Sequence, residues 1–128
     1  MLYTGVDLME VERIAHSVSR WGDKFLNYIY TPGEIAYCHG RAAELAARYA
    51  AKEAAGKALG TGVGWGAKIW WVDLEVVADA YGRPSLKLHN AAIARAEKLK
   101  WREVSLSITH TKDHALAMVV ALGGDSAA

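Results

Sequence analysis

Arg48-Tyr49-Ala50-Ala51-Lys52-Glu53-Ala54-Ala55-Gly56-Lys57-Ala58-Leu59-Gly60-Thr61 is the stretch on which the reading of this chain turns. Alanine loses no side-chain freedom in a helix, so the run is read as one long helix from about Ala43 to Leu59, stopped by Gly60-Thr-Gly62. On a helical net Tyr49, Glu53 and Lys57 fall on one stripe, each four residues from the last. Lys52 lies about 100° around the helix from Glu53 and points elsewhere. The many small residues allow other backbones to pack closely on this helix. Facing a polyphosphate, Glu53 can hold a divalent cation and Lys57 can touch phosphate oxygens, provided a second carboxylate arrives from another segment. Asp7, in Thr4-Gly-Val-Asp-Leu-Met-Glu10, is the best candidate.

Working outward, Leu2 to Leu8 alternates Leu2, Thr4, Val6 and Leu8 on one side with Tyr3, Gly5 and Asp7 on the other, the period of a strand. Gly5 removes bulk from the face that carries Asp7. Val11, Ile14 and Val18 give Met9 to Arg20 a helical spacing, Trp21-Gly-Asp23 breaks it, and Lys24 to Tyr30 resumes. Thr31-Pro-Gly-Glu34 reads as a helix start, with Thr31 as cap, Pro32 at the first position and Glu34 closing a capping box. Val72 to Ala78 and Ser85 to Leu88 read as strands around the turn Asp79-Ala-Tyr-Gly-Arg-Pro84, and a helix follows from Asn90 to Lys98. The clearest pattern is the last hairpin. Val104, Leu106 and Ile108 face one way and Ser105, Ser107 and Thr109 the other, and after Thr111-Lys-Asp113 the chain returns from Ala115 to Leu122. Strands and helices without regular alternation argue for an α+β fold, a small antiparallel sheet packed against helices of which one is long. The reading is one domain over residues 1–122, with 123–128 as a frayed tail.

Composition excludes several functions. The 128 residues suffice for one modest core. Fifteen basic and fourteen acidic side chains leave a net charge of +1, so no global field draws nucleic acid and any polyanion must be held by local groups. The lone cysteine, Cys38, cannot form an internal disulfide and suits a reducing compartment. No apolar run approaches the roughly 20 residues of a membrane span, and the N-terminus lacks a signal-peptide pattern. The expected location is the cytosol. Each candidate group also has an ordinary reading when taken alone. Glu53 with Lys57 can be a solvated ion pair worth a few tenths of a kcal/mol. Asp7 can be a turn or cap acid, and His110 in Ser107-Ile-Thr-His110-Thr111 can be a solvated histidine at a strand edge.

Taken together and in order, Gly5-Val-Asp7, Arg48 to Glu53 with Lys57 and Gly60-Thr-Gly62, and Ser107-Ile-Thr-His110-Thr111 closely resemble the three signature segments of the holo-acyl-carrier-protein synthases, the short bacterial 4′-phosphopantetheinyl transferases. The resemblance runs from Leu2 to about Leu122 and takes in Phe25, Thr31, Glu34 and the Gly82-Arg-Pro84 turn. It implies the 4′-phosphopantetheinyl transferase-like fold. The implied activity is transfer of 4′-phosphopantetheine from coenzyme A to a serine of apo acyl carrier protein, releasing adenosine 3′,5′-bisphosphate, in fatty acid biosynthesis. It further implies that Asp7 and Glu53 are the protein ligands of Mg²⁺ and that Asp7, Glu53 and Lys57 are catalytic. Lys57, His110 and Thr111 would hold the coenzyme A phosphates, with Gly82, Arg83 and Pro84 along the adenine. For the serine proton, a metal-bound water is favoured over Glu53 itself, since a metal-bound carboxylate is a weak base, and His110 comes next. Larger transferases of the superfamily carry a further acid two residues after the aspartate. Here that position is Met9, and water must replace the ligand.

An acidic carrier protein needs a basic surface, and the resemblance places it on the first helix and the segment after it, onto which Arg13, Arg20 and Lys24 map. Tyr28 stands where the family commonly carries arginine, and the spacing around Ser19 to Asp23 differs by one residue, which leaves the choice of carrier open. Trp65, Trp70, Trp71 and the alanine-rich helix amount to more apolar surface than so small a domain hides, which suits the family's homotrimer with active sites between subunits. Two other classes share parts of the pattern. A different magnesium phosphotransferase would use the same acids, but the chain has no G-x-x-x-x-G-K-[ST] loop for nucleoside triphosphates. A binding module without catalysis would use Arg13 and its neighbours and have no need of Asp7 or Glu53.

Overall fold

Helix α4 (Ala42–Leu59) lies across one face of a three-stranded antiparallel sheet, with β5 (His114–Leu122) between β1 (Leu2–Glu10) and β4 (Glu103–His110). This computed structural model describes residues 1–124. Between β1 and α4 the chain forms α1 (Val11–Trp21), α2 (Asp23–Ile29) and α3 (Pro32–Cys38). After α4 come a 3-10 turn (Trp71–Asp73), a two-stranded antiparallel sheet of β2 (Leu74–Ala78) and β3 (Pro84–Leu88), and α5 (Ala91–Lys98). The α+β reading therefore holds, with the helices gathered on one side of the main sheet. Several boundaries differ from the sequence reading, two of them for a clear physical reason or a change of element type. β1 runs to Glu10 because it pairs with β5 along its whole length, and residues 71–73 form a 3-10 turn rather than the start of β2.

Close approach decides the packing. Along the inner face of the sheet, Tyr3, Gly5, Asp7 and Met9 of β1 stand beside Ala121, Val119, Ala117 and Ala115 of β5, and β4 adds Val104, Leu106, Ile108 and His110. Three of the four β5 residues are alanine. Against them α4 buries Ala46, Ala47, Ala50, Ala51, Ala54, Ala55 and Ala58. At Gly5 there is no room for a side chain at all, since a Cβ there would lie 1.8 Å from the carbonyl oxygen of Ala54. The helix ends through Gly60, whose φ of 76° is left-handed. The chain then folds back so tightly that a Cβ on Gly56 would meet the backbone carbonyl carbon of Gly62 at 2.8 Å.

A buried polar network joins α3, α4 and the smaller sheet. The capping box on α3 forms as expected, with Thr31 Oγ1 accepting from the Glu34 amide and the Glu34 carboxylate accepting from Thr31 N–H at 2.9 Å. Glu34 then does more than cap. Its second oxygen accepts from Val76 N–H at 2.9 Å, and its first lies 2.7 Å from Lys52 Nζ, both side chains being fully buried. Lys52 also donates to the carbonyls of Trp71 and Leu74. Burial lowers its pKa and the Glu34 charge opposes that. Lys52 thus points away from Glu53, as its place on the helix requires, and into the core.

The expected source of exposed apolar surface needs correction. Trp71 is buried beneath Tyr49, ring centroids 4.8 Å apart, and the alanine-rich helix is buried within its own chain. The uncovered apolar area is the outer face of the main sheet, where Leu2, Val6 and Leu8 of β1 and Leu116, Met118 and Leu122 of β5 are all at least 36% exposed. Trp65 and Trp70 are exposed as well. The tail expected to fray from Gly123 is held through Gly124 by hydrogen bonds from Gly123 N–H to Met1 O and from Gly124 N–H to Leu99 O, both 2.9 Å. Residues 125–128 of that tail lie outside the described residues. Among the described residues no helix is long and apolar enough to cross a membrane.

The contact at Gly5 makes a direct prediction. Gly5→Ala should destabilise the protein by about 3 kcal/mol or more, because α4 must shift along its contact with β1. Urea denaturation measures it, and a loss below about 0.5 kcal/mol would show that the helix accommodates the methyl group.

Candidate functional site

Asp7 and Glu53 meet because Gly5 brings β1 against α4. Asp7 follows Gly5 by one pleat on the same face, and Glu53 neighbours Ala54, whose carbonyl Gly5 touches. The Glu53 carboxyl, half buried, has its pKa pushed up to about 7. Burial is the largest cause, followed by the charge of Asp7 and a hydrogen bond between the two carboxyls, while Lys57 and Arg13 oppose them. Lys57 does not pair with Glu53 along the helix. Its ammonium reaches across to Asp7 Oδ1 at 2.8 Å and to Val6 O at 3.0 Å, so it bridges α4 to β1. It remains about half exposed, and the hydrogen bond to Asp7 raises its pKa. Tyr49, the third member of the stripe, stacks on Trp71.

Two carboxyls stand together beside one ammonium, and the Glu53 carboxyl keeps its proton to higher pH than a solvated one. That is the donor set a hard divalent cation fits, the ion taking the place of the proton. Among the described residues no three or more His, Cys, Asp or Glu side chains gather to hold a metal. The rest of any coordination shell must come from water and substrate oxygens.

The other candidates lie at the opposite edge of the main sheet, with β5 between. His110 ends β4, and its Nε2 is 3.6 Å from Glu44 Oε1 at the start of α4. Glu44 stands nine residues before Glu53, roughly 13 Å along the axis. Thr111 begins the turn to β5, its hydroxyl accepting from the amides of Asp113 and His114 at 3.3 and 3.2 Å. The Gly82-Arg83-Pro84 segment is held by Asp79, whose carboxylate accepts from the amides of Tyr81 and Arg83 at 2.8 and 2.9 Å, and Gly82 takes φ 82°. Arg83 and Pro84 wall a groove of about 430 Å³ whose other side is Ser105, Ser107, Met118 and Val120 on the outer face of the sheet. Within one chain, then, the structure unites Asp7, Glu53 and Lys57, and separately unites His110, Thr111 and the 82–84 turn along the β4 edge.

Reading the sequence missed Arg48 as a site residue. Its side chain is 4% exposed, pairs with Glu44 Oε2 at 2.8 Å and lies over the Tyr37 ring, while its Nε has no hydrogen-bond partner. Arg41 approaches the same ring. Glu44 thus stands between Arg48 and His110, and two guanidiniums, those of Arg41 and Arg48, lie at the Tyr37 ring. An arginine within an otherwise alanine-rich helix was the available signal. Of the three docking candidates, Arg13, Arg20 and Lys24 are all exposed. Arg20 stacks on Trp21 at 5.0 Å, and Arg13 lies near enough to Glu53 to lower its pKa. Tyr28 packs edge-on against Trp70, centroids 5.2 Å apart.

Comparison with known proteins agrees over nearly the whole chain. The holo-[acyl-carrier-protein] synthase of Herpetosiphon aurantiacus is 48% identical over 127 residues, covering 96% of this chain and 100% of that protein. That of Solibacter usitatus is 51% identical over 120 residues, covering 91% and 94%. Among solved structures, the Helicobacter pylori synthase in complex with coenzyme A superposes with a TM-score of 0.83 at 28% identity, covering 93% of this chain and 99% of that one. The Bacillus anthracis synthase in complex with CoA (3′,5′-ADP) gives 0.74 at 33% identity, covering 95% and 96%. A family model matches residues 3–119, and on that match the chain belongs to the 4′-phosphopantetheinyl transferase superfamily.

Proposed function

We propose that this protein transfers 4′-phosphopantetheine from coenzyme A to a serine hydroxyl of apo acyl carrier protein, releasing adenosine 3′,5′-bisphosphate, and so serves fatty acid biosynthesis. The observation that carries this reading is the Asp7–Glu53 pair with Lys57, assembled in a chain of this family that matches holo-acyl-carrier-protein synthases nearly end to end. The serine oxygen forms a bond to the phosphorus next to pantetheine, and the bond from that phosphorus to the oxygen of the adenosine 5′-phosphate breaks. Asp7 and Glu53 would hold Mg²⁺, which would supply neutralisation of the charge that builds on the phosphate oxygens. Lys57 contributes a point positive charge to the same oxygens and keeps Asp7 oriented. The serine proton leaves through a water at Glu53. His110 is tied to Glu44 and lies too far from Glu53 within its own chain to serve that pair.

The phosphates and adenine of coenzyme A lie on His110, Thr111, the two guanidiniums at the Tyr37 ring and the Gly82-Arg83-Pro84 turn. Because those groups stand at the far edge of the sheet, a complete site takes Asp7, Glu53 and Lys57 from one copy and the β4-edge groups from another. The uncovered apolar sheet face supports that association, and the assembly is a homotrimer with its sites between subunits. Location in the cytosol accords with Cys38 kept as a thiol. The carrier docks on α1 and α2, where Arg13, Ser17 and Arg20 share a face that Lys24 extends.

Asp7→Ala and Glu53→Gln should each lower transfer at least about 100-fold with the fold intact, read by intact mass of the carrier after incubation with coenzyme A and Mg²⁺. With wild-type protein, a proton competes with the cation for Glu53. At limiting Mg²⁺ the rate should therefore rise through about pH 7, and at saturating Mg²⁺ the inflection should move to lower pH. Near-normal activity of either variant, still dependent on the metal, would remove the pair from the site.

Docking is best tested away from Glu53, since Arg13 acts on that carboxyl. Arg20→Glu combined with Lys24→Glu should raise the KM for the carrier roughly five- to tenfold and leave the KM for coenzyme A within about twofold, with the wild-type carrier KM climbing as salt is added. A change confined to coenzyme A would place the docking surface elsewhere.

A further inference from the structure

A cleft between the 60–69 loop and α5 is not used by any step of this transfer. It has a volume of about 580 Å³, within the roughly 300–1,000 Å³ of small-molecule sites. Its wall on α5 is Ala91, Ala94, Arg95 and Lys98, residues spaced so that one helix face presents two methyl groups and two cations. Opposite stand Ile69, buried at the floor, and Lys68. Among the described residues no acidic side chain lines it. The carbonyls of the α4 terminus are already occupied, Leu59 O by Arg95 Nε at 2.8 Å and Gly56 O by the amides of Thr61 and Gly62 at 3.2 and 3.0 Å. The cationic groups are therefore not spent on the helix end, except for that one nitrogen of Arg95.

Position relates the cleft to the reaction. Gly60 and Thr61 form its near wall, about one turn of chain past Lys57, where the pyrophosphate is placed. A thiol end that left the pyrophosphate along the Gly60-Thr61 backbone would enter the cleft. We propose that the cleft receives the acyl end of coenzyme A thioesters that terminate in a carboxylate, and that the protein transfers such acyl-phosphopantetheine groups in preference to neutral acyl groups of equal length. The inference rests on the phosphopantetheine-transfer reading. The acyl methylenes lie on Ala91, Ala94 and Ile69, and the terminal carboxylate meets Lys68 and Lys98. The bonds made and broken are those of the parent reaction. The carrier serine oxygen bonds to the pantetheine-side phosphorus, the adenosine 3′,5′-bisphosphate leaves, the serine proton is lost, and the thioester is untouched.

Succinyl-coenzyme A and butyryl-coenzyme A have four-carbon acyl groups that differ in the terminal charge, and intact mass of the carrier reports transfer from each. For wild-type protein kcat/KM should favour the succinyl donor about fivefold, and added salt should narrow the ratio. Lys68→Glu combined with Lys98→Glu should bring the ratio to about one or below. Lys68→Gln combined with Lys98→Gln, a milder change on the same exposed positions, should bring it near one. A wild-type ratio of one, or a preference unchanged in the substituted proteins, overturns the assignment. Free coenzyme A is run in parallel. Absence of transfer from it overturns the transfer reading, whereas transfer from it with equal use of the two thioesters overturns the cleft assignment alone.

Discussion

The contact of Gly5 with the Ala54 carbonyl is the constraint on which the rest of the molecule depends. A strand and a helix ordinarily stand apart by the bulk of their side chains. Here one strand has none at the crossing and the helix offers methyl groups. The two backbones touch, and two otherwise unrelated carboxyls, each a residue or two from the crossing, come within hydrogen-bond reach. Lys57 then spans the same gap to Asp7 and the Val6 carbonyl. Packing, the raised pKa of Glu53 and the meeting of the two carboxyls are consequences of one missing side chain.

Polar chemistry fixes the other side of α4. Glu34 and Lys52 are fully buried, and each spends its hydrogen bonds on the backbone of the segments around it. Such a pair adds little net stability when weighed against apolar replacements, but leaving either partner alone is costly. Its effect is to fix where the 3-10 turn and β2 stand on α4. The turn at 79–84 hangs from the end of β2, and α5 packs against the terminus of α4. The network therefore bears on groups placed at the adenine and on the walls of the cleft.

Period and capping made most of the fold legible. The strand alternation of β1 and β4, the capping box at Thr31 and Glu34, and the glycine stop after Leu59 are local devices whose physics needs no partner, and all three appear as read. The Asp7–Glu53 pairing was also legible, because Gly5 announces a close approach and an alanine-rich helix is what can approach. Tertiary relations were not. Whether Lys57 turns to Glu53 or across to Asp7 depends on the strand being nearer than the next turn of helix. That Lys52 is buried depends on Glu34, eighteen positions earlier. Trp71 read as surface because a tryptophan gives no sign of which face will cover it. The apolar outer face of β1 and β5 was visible in Leu2, Val6 and Leu8, but the inner face, where Tyr3, Met9 and Val119 share the space with a glycine, an aspartate and three alanines, is the less hydrophobic of the two, which inverts the usual sense of an alternating strand.

That inversion leads to the central claim, that a single copy holds two halves of different sites. Asp7 and Glu53 sit at one edge of the sheet, His110 and Arg83 at the other, and the apolar face between them is free to join copies. The most direct test mixes two damaged proteins, Asp7→Ala and the double substitution Arg83→Glu with His110→Ala, by unfolding and refolding them together. Sites shared between neighbouring copies predict recovery of activity in about one site in four, well above either protein alone. Activity in the mixture no greater than that of the two proteins refolded separately would contradict a shared site.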